Sequence, residues 1–196
     1  MHNVADRYRQ ENGSWLIEIN LPRIQQLFNS LDPSPFHEKD LDANAEDYIV
    51  GAVREFPLST PLKLVLHMPD IEAAMAKAMD LETAIHRYFS YRRDSAGRDL
   101  RFLLRQGRLS LFIGLAFLAT CLSLRALLLS YASGTPATIV AEGLMIAGWV
   151  AMWRPIQTFL YDWWPLQRMG RVFEKLSTVT VEIRPYTDAR QPPPRA

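Results

Sequence analysis

The sequence is poor in cysteine, in net charge and in metal-ligand patterns. Cys121 is the single cysteine among 196 residues, which excludes an intramolecular disulfide and a thiolate metal cluster. The formal net charge is +1, and no motif that reads nucleic acid accompanies it. None of the histidines has the spacing of a metal ligand. We therefore expect no cofactor, no metal and no nucleic-acid partner. The four histidines are His2, His37, His67 and His86.

Catalytic signatures are missing as well. The chain has no glycine-rich phosphate loop, no GxSxG and no paired-carboxylate motif in a persuasive context. It also opens on a polar stretch, MHNVADRYRQENGSW, in place of a cleavable signal sequence. The sequence therefore predicts a protein that is not an enzyme and whose membrane insertion, if any, is directed from within the chain.

What the sequence does contain is one long apolar block, from Leu109 to Trp153. Its first part, residues 109–131, carries one charge in 23 residues, and about 20 apolar residues suffice to cross a bilayer as a helix. A short polar link, residues 132–137, precedes a second apolar run that only Glu142 interrupts. The block predicts a transmembrane hairpin, with helices at 109–131 and 138–158 and an external link between them.

Basic residues are distributed unevenly around the block. Many arginines precede the first span and several basic residues follow the second, whereas the link has none. Basic residues concentrate on the cytoplasmic side of short membrane loops, so both termini are predicted to be cytoplasmic. In a bacterium this means the inner membrane. The basic residues are Arg87, Arg92, Arg93, Arg98, Arg101, Arg105 and Arg108 before the hairpin, and Arg154, Arg168, Arg171 and Lys175 after it.

Three segments outside the block alternate apolar and polar residues, which is typical of strands with one buried face. They are residues 15–21, 61–69 and 177–185. Isolated strands are unstable, so the last must join the first two. The fold class predicted is a membrane protein whose hairpin is inserted in a small cytoplasmic α+β domain, with about three strands and helices on one face. The other face would carry Glu18, Asn20, Lys63, His67, Thr180 and Glu182.

Helical spacing predicts three helices in the first hundred residues. One follows Pro22 and ends near Leu31, and a second begins at an Asp42 N-cap and ends before Pro57. A third, long helix is capped by Asp70 and kinks near residues 94–97. Its expected buried stripe is Ile71, Met75, Ala78, Met79, Ile85 and Phe89.

The predicted organisation divides the chain into eight parts. Residues 1–13 form a flexible arm and residues 14–93 the first part of the cytoplasmic domain. Residues 94–108 form a basic interfacial helix, before the spans at 109–131 and 138–158 with their link at 132–137. Residues 159–186 hold an aromatic membrane interface, a short helix and the third strand, and residues 187–196 form a disordered tail.

Arg125 and Glu142 are the two charges inside the apolar block, each eight or nine residues from the centre of the link. An antiparallel hairpin places them at matching depth. An unpaired charge at mid-bilayer costs about 2.5 to 3.5 kcal/mol, so such residues usually pair or line a polar path. A charge-neutral pair is favoured over an ion pathway, because one pair makes a poor pathway and arginine does not release its proton.

Two further groups of residues predict contacts in or at the membrane. Gly143, Ala147 and Ala151 form a strip of small residues suited either to packing within the hairpin or to self-association. The basic helix and the aromatic segment are expected to contact lipid headgroups. Those residues are Arg98, Arg101, Arg105, Arg108, Tyr161, Trp163 and Trp164.

An acidic segment, residues 32–56, has seven acids against two basic residues. Such a segment is either a docking patch or a solvated helix face that anionic lipid repels. The acids are Asp32, Glu38, Asp40, Asp42, Glu46, Asp47 and Glu55.

These patterns lead to three functional hypotheses. The first is a non-enzymatic inner-membrane anchor or accessory subunit whose cytoplasmic domain binds a protein partner. The second is a homo-oligomeric channel or transport component gated by that domain. The third is a membrane-bound enzyme acting on lipid. Copy number in native lipid separates the first two, because a pore needs several copies of the chain.

Overall fold

The computed structural model describes residues 7–186, except for the side chain of His37. The predicted tail, residues 187–196, and the first six residues of the predicted arm lie outside this range. The described chain is mostly helical, with one mixed four-stranded sheet. It forms two compact units: the sheet unit holds the chain up to Ser95 together with the chain from Met169 onward, and the helical unit is Ala96–Arg168.

The sheet has the strand order β1-β2-β3-β4. Its strands are β1 (Gln10–Glu11), β2 (Ser14–Asn20), β3 (Leu62–Pro69) and β4 (Thr180–Tyr186). β2, β3 and β4 are parallel, and β1 is antiparallel to β2. The prediction that the last strand rejoins the first two is therefore confirmed.

β1 is a fourth strand in a segment for which the sequence analysis expected a flexible arm. Glu11 pairs with Ser14, which leaves Asn12 and Gly13 as a two-residue turn. Both turn residues have positive φ, 51° at Asn12 and 79° at Gly13. This conformation matches the twist of a hairpin, and Asn-Gly is the dipeptide that adopts it most readily. The turn thus gives β2 a short antiparallel neighbour.

The strand register separates an apolar face of the sheet from a polar one. Ile17, Leu64 and Val181 are neighbours on the apolar face, where Ile17 and Leu64 are fully buried. The two parallel connections, β2 to β3 and β3 to β4, cross the sheet in the same direction. Because such crossovers are right-handed, they place their helices on the same face. The largest fully buried side chains of the helical segments include Leu27, Ile49, Val53, Leu81, Ile85, Phe89 and Leu176.

The connection from β2 to β3 contains less helix than predicted. The segment after Pro22 forms only a 3₁₀ turn, Ile24–Leu27, and Leu31 is 88% exposed. A second 3₁₀ turn is Phe36–Glu38. Helix α1, Ala43–Arg54, begins at the predicted N-cap, because the Asp42 side chain accepts a 2.9 Å hydrogen bond from the backbone N–H of Asn44.

The long helix predicted after Asp70 is two helices, α2 (Asp70–Ala78) and α3 (Leu81–Tyr131). Asp80 separates them with φ of 50°, a left-handed conformation that a helix cannot contain. The break changes the helical phase, so the predicted stripe is correct in α3 and wrong in α2. Ile85 and Phe89 are fully buried, whereas Ile71 is 77% exposed. α3 remains helical through residues 94–97, where a kink was expected.

The return path of the hairpin is helical from Thr135 to Leu176, with a local rearrangement. Its parts are α4 (Thr135–Ala151), α5 (Trp153–Gln157), a π-helical turn (Thr158–Asp162) and α6 (Trp163–Leu176). Pro155 has no N–H to donate to the carbonyl of Ala151, four residues earlier, so the regular helical pattern is interrupted at this point.

Candidate functional site

The polar face of the sheet carries a row of charged side chains. The register places all six predicted polar residues on this face and adds Arg184, which neighbours His67. At one end, Glu182 accepts hydrogen bonds from Lys63 at 2.8 Å and from Arg184 at 2.7 Å. These hydrogen bonds lower the pKa of the Glu182 carboxyl from 4.5 to about 2. Arg184 also donates to Glu11 at 2.5 Å, which connects β4 to β1.

The row continues on β2 and β3. The Nε2 atom of His67 lies 2.9 Å from Glu18 Oε1, and the second oxygen of Glu18 lies 3.3 Å from Nε of Arg9. Acidic and basic groups therefore alternate across the face. The side chain of His67 is 15% exposed and that of Glu18 is 27% exposed, so the row is half-buried. Its carboxylates are neutralised by neighbouring cations. Such an arrangement fixes the side chains of this face in place and does not leave a reactive group available.

Most acids of the segment 32–56 have partners inside the sheet unit. Asp32 accepts from the backbone N–H groups of Ser34 and Asp40, which lowers the pKa of its carboxyl. Glu38 and Glu55 lie 3.8 and 3.9 Å from Arg87 and Arg7. Because these carboxylates are engaged within the chain, the segment has less free negative charge than its composition suggests.

Glu46 holds a cluster that connects α1, α3 and α6. One of its oxygens accepts the Tyr88 hydroxyl at 2.6 Å, and the other accepts Nε of Arg92 at 2.7 Å. The Arg92 guanidinium lies 5.2 Å from the centre of the Phe173 ring, within the range of a cation–π contact. Burial, followed by the bond to Glu46, raises the pKa of Tyr88. The sequence pattern does not predict this cluster, because its members are distant in sequence.

The helical unit contains the two apolar stretches. Two helices, Leu81–Tyr131 with 51 residues and Thr135–Leu176 with 42, are long and apolar enough to cross a membrane. Only 11% and 17% of their most apolar stretches are buried in the protein. An apolar core helix of a soluble protein would be mostly buried, so these helices resemble lipid-facing helices more closely.

Small residues spaced by seven mediate the contact between the two helices. Gly107, Gly114 and Cys121 on α3 are buried. An ideal Cβ at Gly114 would lie 3.1 Å from Met152 Sδ and 3.2 Å from the Ala151 carbonyl oxygen. This spacing is not among the features predicted above, although repetition every seven residues is itself a signal for paired helices. On the second helix the corresponding buried residues are Ala141, Gly148 and Pro155.

The predicted small-residue strip lies mostly outside this contact. Gly143 is exposed and an ideal Cβ there would meet no atom within 4 Å. Ala147 is exposed and Ala151 is half-buried. Instead, Gly148 approaches α3, where an ideal Cβ would lie 2.7 Å from Cδ1 of Leu118. Of the two roles considered for the strip, packing within the hairpin therefore applies at most to Ala151, and self-association stays a prediction.

Arg125 and Glu142 lie at the same level of the hairpin but are not bonded to one another. Leu118 approaches Gly148, so Arg125, seven residues beyond Leu118, lies level with Ala141, seven residues before Gly148. Within residues 7–186 no ion pair joins Arg125 to Glu142. Arg125 Nε is buried without a hydrogen-bond partner, and Glu142 is exposed. Their pairing stays a prediction. At this level Ala141 faces the first helix, in the position that a glutamate paired with Arg125 would have to occupy.

The predicted headgroup residues are largely accessible. Arg98, Arg101, Arg105 and Arg108 are exposed on α3, and three of them border a shallow groove of about 430 Å³ beside Phe102. On the second helix, Tyr161 is 68% and Trp164 is 60% exposed. Trp163 is half-buried, and its indole N–H donates to the Phe159 carbonyl at 2.8 Å. Their contact with lipid stays a prediction.

No group of three or more metal-ligating side chains occurs within the described residues. The Nε2–H group of His86 donates to the Val179 carbonyl oxygen at 2.7 Å, and His67 Nε2 forms a hydrogen bond with Glu18. Comparison with protein-family models, with curated proteins and with solved structures finds no match for this chain.

Proposed function

We propose that this protein is a non-enzymatic membrane anchor or accessory subunit with a two-helix transmembrane hairpin. The observation that carries the proposal is the low burial of the apolar helices, 11% and 17% in their most apolar stretches. Large side chains such as Phe112 and Val150, 78% and 67% exposed, cover both helices. Soluble monomers rarely expose contiguous apolar patches of this extent, because water contact with them is unfavourable.

The sheet unit lies on the cytoplasmic side in this proposal, together with both termini. The basic residues that flank the hairpin support this orientation, since the link at residues 132–137 has none. In a bacterial cell the membrane is the inner membrane. The domain binds a protein partner, and its exposed apolar side chains on α2 support this role. Ile71 is 77% and Met75 is 44% exposed, on adjacent turns of one helix.

Membrane fractionation and copurification test the two parts of the proposal. The full-length protein is expected to remain in the membrane pellet after alkaline carbonate washing, and release into the supernatant would contradict the anchor. A tagged chain is expected to copurify with a different chain in mild detergent, and Ile71→Asp should reduce its recovery. Leu31→Asp is the control, because Leu31 is also apolar and 88% exposed but lies in a turn outside α2.

A second candidate is a homo-oligomeric channel or transport component. It is favoured by the exposure of Glu142 beside the open surface at Gly143 and Ala147. An exposed carboxylate in a transmembrane helix needs a partner, and a second copy offers Arg125 at the same level. In this candidate, single cysteines at Ala147 in a Cys121→Ala background form disulfide-linked dimers in membranes. Cysteines at Ala141, which is buried within the hairpin, serve as the control and should not crosslink.

A further inference from the structure

A groove of about 380 Å³ lies within the helical unit, between α3 and the return path of the hairpin. Its wall on α3 is made by Ser110, Ile113, Gly114 and Phe117. These residues share one helix face, because they are spaced by three and four. Seven residues of helix span about 10 Å, so this wall reaches about a third of the way across a bilayer core. The volume falls in the usual range of small-molecule sites.

The opposite wall contains Ala151, Arg154 and Pro155. Gly114 and Ala151 lie where the two helices are in close contact and form the floor of the groove, and Pro155 interrupts the helix that borders it. The polar lining is concentrated at one end, where Ser110 begins the first apolar run and Arg154 follows the second. The lining deeper in the hairpin is apolar and ends in Phe117.

Arg154 supplies a positive charge with no counterion. Its side chain is exposed, and within the described residues no carboxylate lies in ion-pair distance of it. Arg105 and Arg108 are exposed at the same end of the hairpin and add to the positive potential there. An apolar groove with an unpaired guanidinium at one end is complementary to an acyl chain that carries an anionic group such as a phosphate.

We propose that this groove binds one anionic phospholipid, with an acyl chain along Ile113 and Phe117 and the phosphate at Arg154. The proposal rests on the transmembrane hairpin proposed above. The guanidinium donates to the phosphate oxygens, and the Ser110 hydroxyl lies at the same end as a second donor. The net negative charge of the headgroup selects this lipid over a zwitterionic one, because the surrounding arginines leave a surplus of positive charge.

Native mass spectrometry of the full-length protein tests the site. The protein is purified from membranes in detergent and titrated with phosphatidylglycerol or phosphatidylcholine. We expect one tightly held phosphatidylglycerol, and about tenfold weaker retention in Arg154→Gln, the loss expected when a charge-assisted hydrogen bond is removed. Arg154→Lys, which keeps the charge, should recover most of the retention. Arg168→Gln is the control, because it removes an exposed arginine that does not line the groove and lies fourteen residues beyond Arg154 in the chain.

A second pair of variants tests the apolar part of the site. Ile113→Trp adds volume in the groove without entering the contact between Gly114 and Met152, and should reduce retention of the lipid. Phe112→Trp, at a neighbouring position that is 78% exposed and outside the groove, should retain it. Equal retention of the two lipids, or equal losses in Arg154→Gln and Arg168→Gln, would overturn the lipid site alone. Absence of the wild-type protein from the membrane fraction would overturn the hairpin and the lipid site together.

Discussion

At the scale of single residues, most charged side chains of the sheet unit form ion pairs or hydrogen bonds with one another. The contribution of each pair to stability depends on its burial. Exposed ion pairs such as Arg7 with Glu55 contribute little, because water screens both groups. Glu46 differs, since its side chain is 14% exposed and accepts from two donors. Removal of a half-buried acceptor leaves its donors without partners, which costs more than the bonds themselves contribute.

Glu46→Ala is therefore expected to lower the free energy of unfolding of the sheet unit by about 2 kcal/mol, because the hydroxyl of Tyr88 and the guanidinium of Arg92 lose their acceptor. The measurement is urea denaturation of the full-length protein in detergent. Asp47→Ala is the matched control, an exposed neighbour whose change should stay within about 0.5 kcal/mol. Equal effects of the two substitutions would show that the cluster does not stabilise the fold.

Glu182 makes the stability of the sheet dependent on pH in the acidic range. Its pKa is lowered from 4.5 to about 2 in the folded protein by its bonds to Arg184 and Lys63. A group with a lowered folded pKa stabilises the fold above its unfolded pKa, and this contribution is lost as the pH falls from 4.5 toward 2. Glu182→Gln should therefore flatten the dependence of the urea midpoint on pH in this interval. Glu174→Gln, at an exposed position in α6, should leave the slope unchanged.

At the scale of elements, the sequence predicts the parallel strands and α1 well, because alternation and N-caps are local signals. β1 could also have been predicted, since the Asn12-Gly13 turn is a strong hairpin signal. The division into α2 and α3 could not be predicted, because the positive φ at Asp80 occurs where the sequence has no Gly or Pro to indicate a break. The sequence therefore does not predict which face of α2 is exposed either.

The seven-residue spacing of small residues in the hairpin can be tested with two matched substitutions. Gly148→Leu is expected to disrupt the hairpin, because a side chain there collides with Leu118 and Cys121. Gly143→Leu on the same helix should be tolerated, since nothing lies within 4 Å of that position. The thermal unfolding midpoint in detergent measures the difference. A stable Gly148→Leu variant would contradict the close approach, and a stable Gly143→Leu variant that loses dimers would support the oligomeric candidate.

Loss of β4 should weaken the whole sheet unit. Removal of residues 177–196 deletes the partner of β3 and the bond between His86 and Val179. The exposed edge of β3 would have unpaired backbone groups, so residues 14–93 should become sensitive to protease. Limited proteolysis followed by mass spectrometry is the measurement. Unchanged resistance would show that residues 14–93 are stable without the last strand.

At the scale of the whole molecule, the arginine asymmetry leads to a topology test. In a Cys121→Ala background, a cysteine at Ser133 should react with an impermeant thiol reagent from outside the cell. Cysteines at Ser14 or at the exposed Thr178 should react only after the membrane is permeabilised. Labelling at residue 14 or 178 in intact cells would contradict the proposed orientation.

The sequence predicts the two long apolar helices and the insertion of the hairpin between strands, because membrane-length apolar runs are local and unmistakable. It does not predict which helix faces meet. That choice depends on Gly107, Gly114 and Gly148, whose contacts lie on the opposite helix. The charged row of the sheet is likewise predicted only in part. The alternation of residues identifies the polar face, but the partners of Glu182 depend on the strand register.

The two long helices lie between β3 and β4 in the sequence, and this order has a consequence for biosynthesis. Lys63 and Glu182, which bond across β3 and β4, are 119 residues apart in the chain. A ribosome adds about 5 to 20 residues per second, so β3 waits at least several seconds for its neighbour, and both long helices are translated in the interval. The sheet is completed only after the hairpin has left the ribosome. A nascent chain whose hairpin stalls on its way into the bilayer thus leaves an unfinished sheet, which quality-control proteases can recognise.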